Sequence, residues 1–301
     1  MKIFMSVLIM TLAVMSPVSA EIYRQGVFYV IYDADGAAAV NQTDVNANGV
    51  PDVVEDIATQ LNAAREVFNG VFNFPDPLTS DRFANVASIE ITIAAKSDMK
   101  APAFAFASVR KNSLHDPNEQ SLKIKMSNAV NPHKSSTPAH EYFHLIQFGA
   151  TYFRNKWFTE GMAQWSEDAV AKRNYPDGRD VPQPLKSRAA ADELFGKQYS
   201  ASKILWYPLA VNMRDKATIP AALIGKYRYV DGTPVFRDNI IYGPNVMREV
   251  LRVMKSKEHL AAAEFGDVNS WRQKGQRAAL NNKIMLECVR EVHATKLGSG
   301  R

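Results

Sequence analysis

Between Thr137 and Gly149 the chain reads Thr-Pro-Ala-His-Glu-Tyr-Phe-His-Leu-Ile-Gln-Phe-Gly, and no other stretch constrains the fold as much. Thr137 suits a helix N-cap, Pro138 the first helical position and Gly149 the C-terminal end, which frames a helix of about 11 residues. Tyr142, Phe143, Leu145, Ile146 and Phe148 spread over nearly every side of that helix. It is therefore predicted to lie inside the core. His140, Glu141 and His144 are then buried with it, and buried ionisable groups call for partners or a metal. Residues four apart on a helix hold their side chains roughly 5 to 6 Å apart, which lets two imidazole nitrogens reach one zinc ion at about 2.0 to 2.1 Å. Glu141 stands beside that face, placed to act as general base on a water polarised by the metal without filling a coordination position. Gln147 shares the histidine face, either as a hydrogen-bonding group or as packing.

A catalytic zinc site needs a third protein ligand, and Trp157-Phe158-Thr159-Glu160-Gly161-Met162-Ala163-Gln164-Trp165-Ser166-Glu167 offers one. Taken together, His140-Glu141-x-x-His144, Trp157-x-x-Glu160-Gly161-x-Ala163 and Glu167 resemble the gluzincin group of zinc metallopeptidases. The resemblance implies a zincin-like α+β fold, with zinc held by His140, His144 and Glu160, and with Glu167 supporting a ligand histidine. Asp168 is the alternative third ligand. Physical reasoning agrees on Glu167, because residues seven apart return to nearly one helix face and a metal-bound imidazole commonly donates its other N–H to a carboxylate. Two histidines and one glutamate leave the fourth position open.

The resemblance is close over residues 140 to 167 and loose elsewhere. Thr159 stands where the aminopeptidase branch has asparagine, the gap from His144 to Glu160 is shorter, and the Gly-x-Met-Glu-Asn exopeptidase sequence is missing. The implied activity is endopeptidase action on a protein or peptide substrate, with Glu141 as general base. A tyrosine or histidine from the C-terminal half is expected to hold the developing oxyanion, with Tyr199, Tyr207, Tyr242 and His259 as candidates and Tyr242 carried forward. The strand predicted over Ser121 to Met126 is expected to be the edge that aligns substrate. Two other readings use the same residues: a non-catalytic binding or adhesion protein stabilised by metal, and a zinc hydrolase of non-peptide amides.

A second metal pattern precedes the first. Asp44-x-Asn46-x-Asn48-Gly49-x-x-Asp52-x-x-Glu55 matches the twelve-position calcium loop, with oxygen side chains at positions 1, 3, 5, 9 and 12 and glycine at 6. Val50 offers a carbonyl and Glu55 a bidentate clamp. Pro51 departs from the apolar residue usual at position 8, and an Asx-rich turn capping the helix from Val53 is the competing explanation. This loop ahead of such a zinc pattern resembles a set of exported bacterial proteins assigned as metallopeptidases from sequence, which implies a structural calcium ion.

The N-terminus carries Lys2, an apolar run from Ile3 to Met15 and the small-residue sequence Ser16-Pro17-Val18-Ser19-Ala20, the pattern of a secretory signal peptide rather than a retained anchor. Export to the periplasm or beyond is expected, with no stable membrane insertion. Cys288 is the only cysteine, so no intrachain disulfide forms and stability rests on packing or bound metal. The net charge of +5 is dispersed, which argues against nucleic acid as a partner.

Residues 23 to 32 read as a strand, 53 to 72 as a helix, 87 to 94 and 121 to 126 as strands, 137 to 173 as two helices, and 189 onward as mostly helix with loops near Pro220 and Asp231 to Asp238. Strands before helices predict an α+β fold. The expected organisation is a leader over 1 to 20, a strand, calcium loop and helix over 21 to 75, a zincin core with a mixed sheet and active-site helix over 76 to 173, and a mainly helical part over 174 to 301.

Overall fold

The computed structural model describes residues 20–171, 180–265, 271 and 273–298, so residues 1–19 of the expected leader lie outside it. The run of aromatic and β-branched residues near the N-terminus folds into two strands rather than one, β1 (Glu21–Gln25) and β2 (Phe28–Tyr32), paired antiparallel. Gly26 makes the difference. It sits at φ +63°, a conformation that favours glycine, and turns the chain back on itself.

Next come β3 (Val86–Ala94), β4 (Ala103–Ala105) and β5 (Gln120–Ser127), in the sheet order β1-β2-β3-β5-β4. β2, β3 and β5 run parallel, and β4 returns antiparallel along β5. One face of β3 and β5 buries Ile89, Ile91, Ile93, Leu122, Ile124 and Met126. The expectation that Ser121 to Met126 forms the edge is overturned, because β4 covers β5 and is itself the edge. Three residues, Ala-Phe-Ala, are too few to show a period of two.

The connection from β2 to β3 carries α1 (Asp52–Arg65), which continues into a wider turn over Glu66–Val71. The zinc-pattern helix α2 (Thr137–Ala150) buries twelve of its fourteen residues, so it has no solvated face. Its entry differs from the expected cap. Thr137 is already helical, Ser136 precedes it without a side-chain cap, and the Ala139 N–H is satisfied from α1 by Gln60 Oε1 at 3.2 Å. Gly149 lies one residue inside the helix end. A Cβ there would meet Ser80 Cβ at 3.2 Å and the Pro77 backbone at 3.4 Å, so glycine serves the close approach of the 77–80 turn.

Asn155 leads into α3 (Lys156–Ser166), followed by a tight turn over Glu167–Ala169. Behind α2, Phe143 packs on Phe68 at 5.1 Å and on Trp165 of α3 at 5.8 Å between ring centroids. These contacts set the spacing of the two helices. Truncating Phe143 would cost about 3–5 kcal/mol by analogy with other buried aromatics.

One buried cluster runs from Phe28 to Val292 through the sheet, α1, α2, α3 and the later helices Pro244–Phe265 and Asn281–Gly298. The C-terminal part also pairs two short strands, Lys216–Thr218 with Ile240–Tyr242, where sequence indicated only helices and loops. The fold is α+β with a mixed five-stranded sheet. No helix among the described residues is long and apolar enough to cross a membrane.

Candidate metal centre

His140 and His144 point the same way from consecutive turns of α2, with ring centroids 4.7 Å apart. Glu160 comes from the middle of α3, one residue before the close contact that this helix makes at Gly161. His140 Nε2 lies 3.6 Å and His144 Nε2 3.5 Å from the same atom, Glu160 Oε2. Donors held about 2.0 to 2.1 Å from a tetrahedral ion stand roughly 3.4 Å from one another. The spacing found here is that of a metal-sized gap. Among the described residues, this is the one trio of His, Cys, Asp or Glu side chains whose ligand atoms all lie within 4.8 Å of one another, and Asp168 is not part of it.

The other imidazole nitrogens are both occupied. His140 Nδ1 meets Glu167 Oε1 at 2.9 Å, and His144 Nδ1 meets Gln147 Oε1 at 2.9 Å. Glu167 is held in turn by Ser136 Oγ at 2.7 Å, and the Gln147 amide donates to the Thr159 carbonyl at 3.2 Å. Each ring is thereby fixed in orientation with Nε2 left for a metal. Gln147 thus ties one ligand helix to the other.

Charge in the site is lopsided, with Glu141, Glu160 and Glu167 gathered round two imidazoles. Burial disfavours the His140 imidazolium, but hydrogen bonding to Glu160 and Glu167 outweighs this and raises its pKa to about 10. Burial likewise disfavours a charged Glu160, but hydrogen bonds from His140 and His144 dominate and hold its pKa far below the usual carboxylate value. Both shifts say that the site favours positive charge between these side chains. The donor set fits zinc: two imidazoles and one carboxylate, with room for a further ligand.

Glu141 is 5% exposed, and its Oε2 has no hydrogen-bond partner. Burial raises its pKa, moderated by His144 and His140 and by the backbone of Ala105 on β4. Glu141 is thus a buried carboxylate with a raised pKa, beside the trio and close to β4.

Comparison with known protein families, with curated proteins and with solved structures returns no match. The chemistry of this centre therefore rests on its own geometry.

Of the four oxyanion candidates, Tyr199 is the one in contact with the trio. Its ring centroid lies 5.9 Å from that of His140, and Glu160 is near enough to shift its titration. Burial, reinforced by Glu160 and Glu141, raises its pKa to about 12, so it stays a proton donor. Tyr207 donates to the Gln164 carbonyl at 2.9 Å, and His259 lies exposed on the helix Pro244–Phe265. Tyr242 belongs to the short strand pair, with Lys216 Nζ 5.9 Å from its ring centroid and its carbonyl accepting from Trp165 Nε1 at 2.8 Å.

The calcium-pattern loop turns as its sequence suggests. Gly49 is at φ +85° and Ala47 at φ +54°, while the Asp44 carboxylate accepts the backbone N–H of Gly49 at 2.8 Å and of Asn48 at 3.2 Å. The side-chain amides of Asn46 and Asn48 reach the two oxygens of Glu55 at 2.9 and 2.8 Å. Val50 and Asp52 complete the loop, with Asp52 accepting the Val45 N–H at 3.0 Å.

A cleft of about 540 Å³ opens beside His144 and Glu160, lined by Phe104 and Ala105 of β4, by Phe106 to Ser108 after it, and by Phe148 and Arg154. The sequence carried no local mark of β4, and none of Arg154.

Proposed function

We propose that the chain is an exported zinc endopeptidase of gluzincin type, with His140, His144 and Glu160 as metal ligands. The observation that carries this reading is the convergence of both Nε2 atoms on Glu160 Oε2, beside an unpartnered Glu141 Oε2 and the edge strand β4. A zinc ion held there supplies Lewis acidity and makes water a nucleophile near neutral pH.

The chain's own groups divide the remaining work. β4 pairs with an extended peptide by strand addition and presents the scissile bond to the cleft. Glu141 takes the proton of the attacking water and returns it to the leaving nitrogen. Tyr199, carried next to the trio by the segment before Ser202–Trp206, donates to the carbonyl oxygen as negative charge develops. Glu167 and Gln147 hold the ligand imidazoles in register. The loop from Asp44 to Glu55 binds calcium and fastens the connection between β2 and α1.

The test combines metal analysis with a Glu141→Gln variant. Purified protein is expected to hold close to one zinc per chain, and the variant to keep the metal while losing about 10²- to 10⁴-fold in peptide hydrolysis. Undiminished hydrolysis in the variant overturns the mechanism. Zinc binding by a wild type that cleaves no peptide favours a metal-stabilised binding protein instead.

A further inference from the structure

The cleft that β4 lines also holds a cation whose terminal nitrogens meet no acceptor among the described residues. Arg154 is 4% exposed, and neither of its terminal guanidinium nitrogens has a hydrogen-bond partner. Its Nε lies 3.4 Å from Gln276 Oε1. The guanidinium carbon sits 3.6 Å from the centroid of the Phe148 ring, and Phe148 in turn stacks on His144 at 5.5 Å and 9°. The fork is thus anchored through Nε, flattened against an aromatic face, and one ring removed from a metal ligand.

Among the described residues, its surroundings offset that charge only at a distance, through Glu258, and offer its terminal nitrogens no acceptor. Arg82, Lys156 and Arg277 line the same cleft. Glu258 favours the charged form from nearby, but its hydrogen bonds go to the Tyr152 N–H at 2.5 Å and to Thr151, and it does not bond the guanidinium. Glu160 is committed to the two histidines. Burial, with Arg82 and Arg277 close by, makes the charged form of Arg154 costly, yet arginine keeps its proton in proteins. A buried, unpaired guanidinium is among the more expensive features a fold can carry, and a planar fork with two free N–H-bearing nitrogens matches a carboxylate bidentately.

We propose that Arg154 is the base of an anion subsite in the substrate cleft, selecting peptides that place a carboxylate within a residue or two of the scissile bond. This rests on the peptidase reading of the adjoining metal centre. The carboxylate comes either from an acidic side chain or from the C-terminus of a short peptide, and Lys156 and Arg277 at the exposed rim draw it in.

Quenched-fluorescence peptides that differ only by Glu for Gln or Asp for Asn at each position flanking the cleaved bond separate the first source. Pairs with a free or amidated C-terminus separate the second. With wild-type protein, one position is expected to favour the acid by about 10- to 100-fold in kcat/KM, the worth of a charge-assisted pair. In Arg154→Met, which keeps an unbranched apolar stem without the guanidinium, that ratio falls to near unity. Equal rates for acid and amide at every position overturn the subsite while leaving the peptidase reading intact, and so does a preference that survives in Arg154→Met. The same pairs titrated calorimetrically into Glu141→Gln and into wild type read the preference without turnover. Equal affinities there overturn the subsite even if no peptide is cleaved, whereas tighter binding of the acid supports it.

Discussion

Glu167 Oε1 stands 2.9 Å from Nδ1 of His140, on the side of the imidazole away from the Nε2 that faces Glu160. Its second oxygen is held by Ser136 at the entrance to α2, so the carboxylate is fixed before any metal arrives. Removing such a partner frees the ring to rotate and lowers the basicity of the ligand. Glu167→Ala is expected to weaken zinc binding about 10- to 100-fold, and Glu167→Gln less, since its carbonyl still accepts from Nδ1. Competition against a chelating dye measures both. An unchanged affinity in Glu167→Ala would remove Glu167 from the site.

If the trio takes up zinc as proposed, the charge state of His140 makes that uptake dependent on pH. In the metal-free fold its pKa is about 10, above the roughly 6.5 of an unfolded chain. The stabilisation from protonated His140 is complete below about pH 6.5 and is lost as pH rises through about 10. A metal must displace that proton. Zinc affinity is therefore expected to rise about tenfold per pH unit between pH 7 and 10, with close to one proton released per ion. Calorimetry in two buffers of different ionisation enthalpy reads the proton count, and zero release would contradict the assignment.

How much of this was legible in the sequence depends on how far each partner lies along the chain. α2 announced itself, because two histidines and a glutamate in an otherwise apolar helix have few explanations. Glu160 and Glu167 entered through the resemblance carried by the residues around them, with the seven-residue spacing in support of Glu167. Gln60, which satisfies the Ala139 N–H from 79 residues away, left no local signal. Tyr199 could not be ranked above Tyr207, Tyr242 or His259, since packing of Trp206 against Trp157 at 5.9 Å is what brings its segment to α3. β4 was too short for periodicity. Arg154 is meaningful only through what fails to surround it.

Tyr199 and Tyr242 can be separated by the same conservative change. Loss of a donor to a developing oxyanion costs about 10²- to 10³-fold in kcat. Tyr199→Phe is expected to lower kcat on that scale with little change in KM, whereas Tyr242→Phe leaves it within a few-fold. Steady-state kinetics on one peptide compares them directly, and the reverse ranking would move the oxyanion role to Tyr242.

Gly161 follows Glu160 for a steric reason. A Cβ there would stand 2.8 Å from both Ala201 Cβ and Trp206 Nε1, too close for either to stay in place. Gly161→Ala gains helix propensity of about 1 kcal/mol but incurs overpacking of about 1–3 kcal/mol, and the displaced α3 carries Glu160 with it. A lower melting temperature together with weaker zinc binding is expected. Stabilisation with unchanged zinc affinity would show that α3 tolerates the shift.

Calcium and an Asx-rich turn make opposite predictions for the loop from Asp44 to Glu55. If the side-chain amides of Asn46 and Asn48 are the final partners of the Glu55 carboxylate, the loop is already satisfied and divalent ions leave stability unchanged. If the carboxylate clamps calcium, the ion binds only the folded chain and stabilises it by mass action, by about 2.7 kcal/mol at a free concentration one hundred times Kd. Titrating calcium into zinc-loaded protein, with magnesium as control, is expected to raise the melting temperature of the wild type. Glu55→Gln removes one of the clamp's charged oxygens and should abolish most of that rise while changing stability little in the absence of calcium. A melting temperature that ignores calcium in both proteins would assign the loop to helix capping alone.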